Sequence, residues 1–180
     1  DDAPIRLREP ILAPDVLMTR TWLARTELAT GSAKRALEVL NPASEKIESD
    51  AAALALLGDT YVALSDFRKA GAAYQKALKR NPKNPQWQTN VALTKYAQGD
   101  ADVALADLTR ISAEDEGVFA DRALVATLLQ RGEYDKATRA IEAMSRKLPK
   151  DPLVSDLLGR TQLAKGEVQA ARKSFERSLE

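Results

Sequence analysis

The chain contains no cysteine and no histidine. Without cysteine there is no disulfide framework and no thiolate nucleophile. Without histidine, neither serine–histidine nor cysteine–histidine catalysis can be assembled within the chain. Together the two absences remove the usual zinc ligands. Aromatic residues are scarce, at 5%. No apolar run approaches the roughly 20 residues that a membrane span requires. Neither sign of charge dominates: 27 Lys and Arg stand against 26 Asp and Glu, a formal net charge of +1. Nothing global therefore draws the chain to nucleic acid or to an anionic membrane. No leader peptide opens the chain at Asp1, and no methionine begins it. The opening "DDAPIRLREP" and the closing "KSFERSLE", which stops inside a helical pattern, read as the ends of a piece cut from a longer protein.

What is present is a folded-domain composition, 44% hydrophobic and 29% charged, with abundant alanine. One stretch, "LLGDTYVALSDFRKAGAAYQKAL" from Leu56 to Leu78, returns as "LLGRTQLAKGEVQAARKSFERSL" from Leu157 to Leu179. Gly58 becomes Gly159, Ala70 becomes Ala171, Tyr74 becomes Phe175 and Leu78 becomes Leu179. The offset of 101 residues is three periods of about 34 less one. Glycine within a helix costs about 1 kcal/mol against alanine, so a recurring mid-helix glycine needs a packing reason. The reason predicted is a helix crossing: small residues let two backbones approach while larger neighbours fill the flanks.

The unit Ala51–Asn84 carries Leu54, Leu57, Gly58 and Tyr61, then Ala70, Tyr74, Ala77 and Pro82. This set closely resembles the tetratricopeptide repeat (TPR) consensus, with leucine in place of a common tryptophan at its fourth position. The resemblance extends over residues 17–180, in five units: 17–50, 51–84, 85–117, 118–151 and 152–180, after a lead-in of residues 1–16. The third unit is one residue short, and "SAEDEG" replaces its terminal proline. Those acids lack EF-hand spacing and read as a polar loop. In the first unit Pro42 falls where the second helix should continue, so that helix is expected to break near Asn41 and restart around "ASEKIES". Gly99, Gly132 and Gly166 are placed to cap helices in the left-handed conformation. The resemblance implies an all-α, right-handed superhelical solenoid of about five helix-turn-helix repeats, each touching mainly its neighbours.

In such arrays the first helix of each repeat lines a concave groove. The groove positions implied here hold Met18, Thr21 and Arg25, then Ala55 and Asp59, then Thr89, Asn90, Leu93 and Tyr96, then Phe119 and Arg122, and finally Arg160. A protein or peptide segment is the expected ligand, held by Met18, Thr21, Arg25, Asp59, Asn90, Leu93, Tyr96, Phe119, Arg122 and Arg160. Trp22 and Trp87 are further aromatic candidates. The carboxylate clamp of chaperone-binding TPR proteins would call on Ala55, Asp59, Asn90, Phe119 and Ala123; only Asn90 fits, and Asp59 would repel a carboxylate. No catalytic, metal or cofactor residue emerges, and a carbohydrate platform would rest on Tyr96 and Phe119 alone.

The run from Ala104 to Leu179, with "RGEYDKA", "PKDP" and "LLG…LAKG", resembles the TPR lipoproteins of bacterial PEP-CTERM/exosortase systems. That resemblance implies a long exported array in the periplasm or on the outer membrane of a Gram-negative bacterium. Its lipid anchor would lie upstream, and its role would be in envelope protein sorting or exopolysaccharide production. The alternative is a generic cytoplasmic TPR adaptor or cochaperone-type peptide binder. Self-association through exposed array ends is a third expectation.

Overall fold

The computed structural model describes residues 16–180, and among these there is no strand. Eleven α-helical segments follow one another: α1 Val16–Ala29, α2 Ala33–Leu40, α3 Ser44–Ile47, α4 Ala51–Ala63, α5 Phe67–Arg80, α6 Pro85–Ala97, α7 Ala101–Glu114, α8 Phe119–Gln130, α9 Tyr134–Lys147, α10 Pro152–Ala164 and α11 Val168–Arg177. The chain divides into two compact units, one up to Pro82 and one from Lys83 onward. The first holds the hairpins α1/α2 and α4/α5. The second holds α6/α7, α8/α9 and α10/α11.

The helix starts are chemical. Asp50, Asp66 and Asn84 each accept a backbone N–H three residues ahead, from Ala53 at 2.8 Å, Lys69 at 3.1 Å and Trp87 at 3.0 Å. Asp151 accepts the Leu153 N–H at 2.8 Å. Pro85 and Pro152 open α6 and α10, where no N–H is needed. The turn inside each hairpin reverses through a left-handed residue. After α6 this is Gly99, with φ of 100°, and the Asp100 N–H returns to the Lys95 carbonyl at 3.0 Å. After α4 the same turn is made by Ser65, with φ of 59°.

The second helix of the first hairpin breaks where Pro42 requires it. Helix α2 stops at Leu40, a 3-10 turn covers Asn41–Ala43, and α3 resumes at Ser44. The interruption leaves a cavity of about 310 Å³ bordered by Leu40, Ile47, Leu54, Tyr61 and Ala73.

In the second unit the core is built by Ala92, Leu108, Leu124, Leu128 and Ala137. Threonine recurs at Thr26, Thr60, Thr94, Thr127 and Thr161, at the same place in successive first helices. The last four are buried, and each hydroxyl donates to a carbonyl of its own helix: to Leu56 at 2.8 Å, Val91 at 2.7 Å, Ala123 at 2.8 Å and Leu157 at 2.8 Å. This lets a polar residue sit at a helix contact without an unmet hydrogen bond.

Candidate protein-binding faces

The ten predicted ligand residues lie on five helices, α1 and α4 in the first unit and α6, α8 and α10 in the second. On α1, Met18 and Arg25 are exposed, and Thr21 is half-buried with its hydroxyl donating to the Met18 carbonyl at 2.8 Å. Met18, Trp22 and Arg25 stand at helical spacing on one face. Trp22 is 66% exposed and Leu23 is also exposed, so the apolar surface of α1 is broader than the groove positions alone imply. On α4, Asp59 is exposed, and its Oδ1 accepts the Tyr74 hydroxyl at 2.6 Å. That bond fixes the carboxylate from behind.

In the second unit α6 and α8 pack against each other, so their residues lie on neighbouring helices. Asn90, Leu93 and Tyr96 are half-buried on α6. Leu93 packs partly onto the core formed around Leu108 and Leu124. Phe119, 42% exposed, and Arg122 lie on the first turn of α8. Arg160 on α10 is exposed, and its Nε meets Asp156 Oδ2 at 2.9 Å, an intrahelical pair that partly neutralises it.

Two expected groove residues are not available to a ligand. Ala55 is buried. Thr89 is fully buried, its hydroxyl donating to the Pro85 carbonyl at 2.8 Å. Each of these side chains serves the helix packing instead. Trp87 is half-buried.

Sequence reading missed one charged cluster entirely. Asp121, only 1% exposed, accepts the Ser112 hydroxyl at 2.8 Å and the Lys147 ammonium at 2.7 Å. The same ammonium donates to the Ser112 carbonyl at 2.6 Å and the Gly117 carbonyl at 3.1 Å. One lysine from the end of α9 thus closes the "SAEDEG" loop that lacks the usual proline. Nothing in the sequence marks it, because Asp121 and Lys147 stand 26 residues apart and each alone looks like a surface charge.

Ionisation is displaced elsewhere, at the helix-to-helix turns. Asp66 is held below the usual carboxylate range by the Lys69 backbone N–H and then its ammonium. Lys136 and Arg131 do the same for Glu133, and Lys165 for Asp135. These pairs stitch turns together. Among the described residues no helix is long and apolar enough to cross a membrane, and no three His, Cys, Asp or Glu side chains are placed to hold a metal ion.

Stacked helix hairpins with small residues at their crossings define a helical-repeat protein. Tetratricopeptide repeat family models match residues 21–85, 55–118 and 95–161, so the chain belongs to the tetratricopeptide repeat family, with its all-α solenoid fold. No curated protein sequence gives a significant match. The fold is similar to that of TTC0263, a thermophilic TPR protein of Thermus thermophilus, at a TM-score of 0.72 and 18% identity over 91% of this chain and 90% of that one. PilF of Pseudomonas aeruginosa gives 0.70 and 22% identity over 91% and 75% of the two chains. MamA of Desulfovibrio magneticus RS-1 gives 0.65 and 19% over 92% and 94%. At such identities the likeness concerns the fold alone.

Proposed function

We propose that this protein is a non-enzymatic scaffold that binds segments of other proteins on the exposed faces of the first helices within each of its two units. The observation that carries this reading is the set of large side chains left uncovered there. Met18, Trp22 and Arg25 on α1, and Phe119 and Arg122 on α8, are all exposed. Tyr96 adds a half-buried aromatic on α6. Apolar and aromatic groups interleaved with arginine are the composition of binding hot spots. A preformed helical face receives a segment at low ordering cost on the protein's own side.

The setting we propose is the bacterial envelope, in protein sorting or exopolysaccharide production, with a lipid anchor upstream. The resemblance of Ala104–Leu179 to the PEP-CTERM-associated TPR lipoproteins supports this setting. The test is a crosslinking pull-down from the source organism, with a matched protein carrying Arg25→Glu, Tyr96→Ala and Arg122→Glu. Envelope sorting or polysaccharide-export partners that are lost with the substituted protein support the reading. Cytoplasmic partners lost in the same way support the generic adaptor instead. A partner set unaffected by the substitutions overturns the proposed faces.

A further inference from the structure

The second unit has another recess, on the side of its second helices. It has a volume of about 750 Å³ and runs between α7 and α9 with α8 beneath. Leu105, Leu124 and Leu128 supply its apolar floor. The α7 wall is uncharged, formed by Ala106, Thr109 and Ala113. The α9 wall is basic. Of its four cations, Lys136 is paired with Glu133, and Lys147 is committed to buried Asp121. Arg139 and Arg146 are exposed and make no direct ion pair among the described residues; Arg139 feels the Asp135 carboxylate one turn away, which is itself paired with Lys165 at 2.9 Å.

We infer that this recess docks an acidic amphipathic helix from a partner protein. Arg139 and Arg146 stand seven residues apart, two turns or about 10.5 Å along α9. A guest helix lying along α9 would meet them with two carboxylates at the same separation, each able to form a charge-assisted, two-pronged bond. Its apolar stripe would cover the leucine floor, the helix-in-groove mode of recognition. The alanines on both walls keep the recess wide enough for a helix to approach at the usual 8–10 Å between axes. The uncharged α7 wall leaves α9 to set the sign of the guest, so a basic helix is rejected.

The test uses the whole chain and two labelled synthetic peptides of about 18 residues, long enough to form helix. One carries a leucine stripe flanked by glutamates seven apart; the other has lysine at the glutamate positions. Fluorescence anisotropy should show binding of the acidic peptide, weakening as salt is raised, and none of the lysine peptide. Arg139→Glu with Arg146→Glu should weaken the acidic peptide by about tenfold or more. Arg139→Gln with Arg146→Gln gives a milder loss and guards against a folding defect, which circular dichroism checks. Arg122→Glu with Tyr96→Ala should leave this binding unchanged, which separates the recess from the faces proposed above. Equal binding of both peptides, no binding of the acidic one, or binding indifferent to the α9 substitutions would overturn the inference. So would self-association of the protein that disappears with those substitutions, because the occupant would then be a second copy.

Discussion

The ring of Tyr74 occupies the space that a side chain at residue 58 would need: a Cβ built on Gly58 would lie 2.6 Å from Tyr74 Cε1. The tyrosine is buried and held at its far end by the 2.6 Å bond to Asp59, so it has little freedom to retreat. The glycine is there for the aromatic ring of the facing helix. Gly58→Ala should therefore destabilise the first unit by about 1–3 kcal/mol, despite alanine's better helix propensity. Urea unfolding would measure this, and adding Tyr74→Leu should recover part of the loss through non-additivity. Gly159 and Phe175 repeat the arrangement at 2.7 Å. Phe175 is only half-buried and has no hydroxyl to anchor it, so Gly159→Ala should cost less.

The Asp121–Lys147 pair makes an asymmetric prediction. Removing the lysine leaves a carboxylate that is 1% exposed with only the Ser112 hydroxyl for company. Removing the aspartate leaves an ammonium that can turn outward, since the Lys147 side chain is already 21% exposed. Breaking a buried pair costs about 3–5 kcal/mol. Lys147→Met should fall near that range, while Asp121→Asn should cost about 1–3 kcal/mol. Equal losses in equilibrium unfolding would contradict this account of the loop.

Ser65 makes a turn that the equivalent positions make with glycine. A non-glycine residue in the left-handed region costs about 1–2 kcal/mol. The Ser65 N–H returns to the Val62 carbonyl at 2.9 Å, a backbone bond that glycine would make equally well. Ser65→Gly should raise stability by up to about 1 kcal/mol after the entropy of the unfolded glycine is deducted. A thermal melt decides it.

Stability should be flat across neutral pH. The carboxylates of Asp66, Glu133 and Asp135 are held below their ordinary values of 3.8, 4.5 and 3.8, Asp66 by the Lys69 backbone N–H and then its ammonium, Glu133 by Lys136 and Arg131, and Asp135 by Lys165. A depressed carboxylate contributes stability that is complete above its unfolded pKa and is lost as pH falls through the folded one. Lys69 and Lys165 are raised above 10.5, chiefly by hydrogen bonds to Asp66 and Asp135. Their contribution is complete below 10.5 and is lost as pH rises through the folded values. With no histidine to titrate between, melting temperature should hold level from about pH 5.5 to 9 and decline towards about pH 3. Asp135, Lys69 and Lys165 are exposed to solvent while Asp66 and Glu133 are half-buried, so added salt should shrink the decline only in part.

Much of the fold is legible in the sequence because repeats impose the same packing several times over. Gly58 with Tyr74 and Gly159 with Phe175 match by simple alignment of the chain with itself, and Pro42 announces the break in the first hairpin. The threonines from Thr26 to Thr161 carry the same period but escape such a reading. Threonine belongs to no hydrophobic pattern, and its role here depends on a hydroxyl turning to its own helix. Position in the repeat assigns Thr89 and Ala55 to the groove, and burial reverses that. The Asp121–Lys147 cluster is invisible in the sequence because each residue alone looks like a surface charge. The binding faces are legible only as exposure, since a surface side chain is constrained by its partner and not by the fold.

The most direct measurement is site-specific photo-crosslinking in the source organism, with the photoreactive residue placed in turn at Tyr96, Phe119, Arg122 and, as a control on the exposed side of α5, Gln75. The account predicts one discrete protein adduct shared by the α6 and α8 positions and absent at Gln75. Adducts confined to Gln75, or the same products at every position, would contradict the claim that the first-helix faces hold the partner.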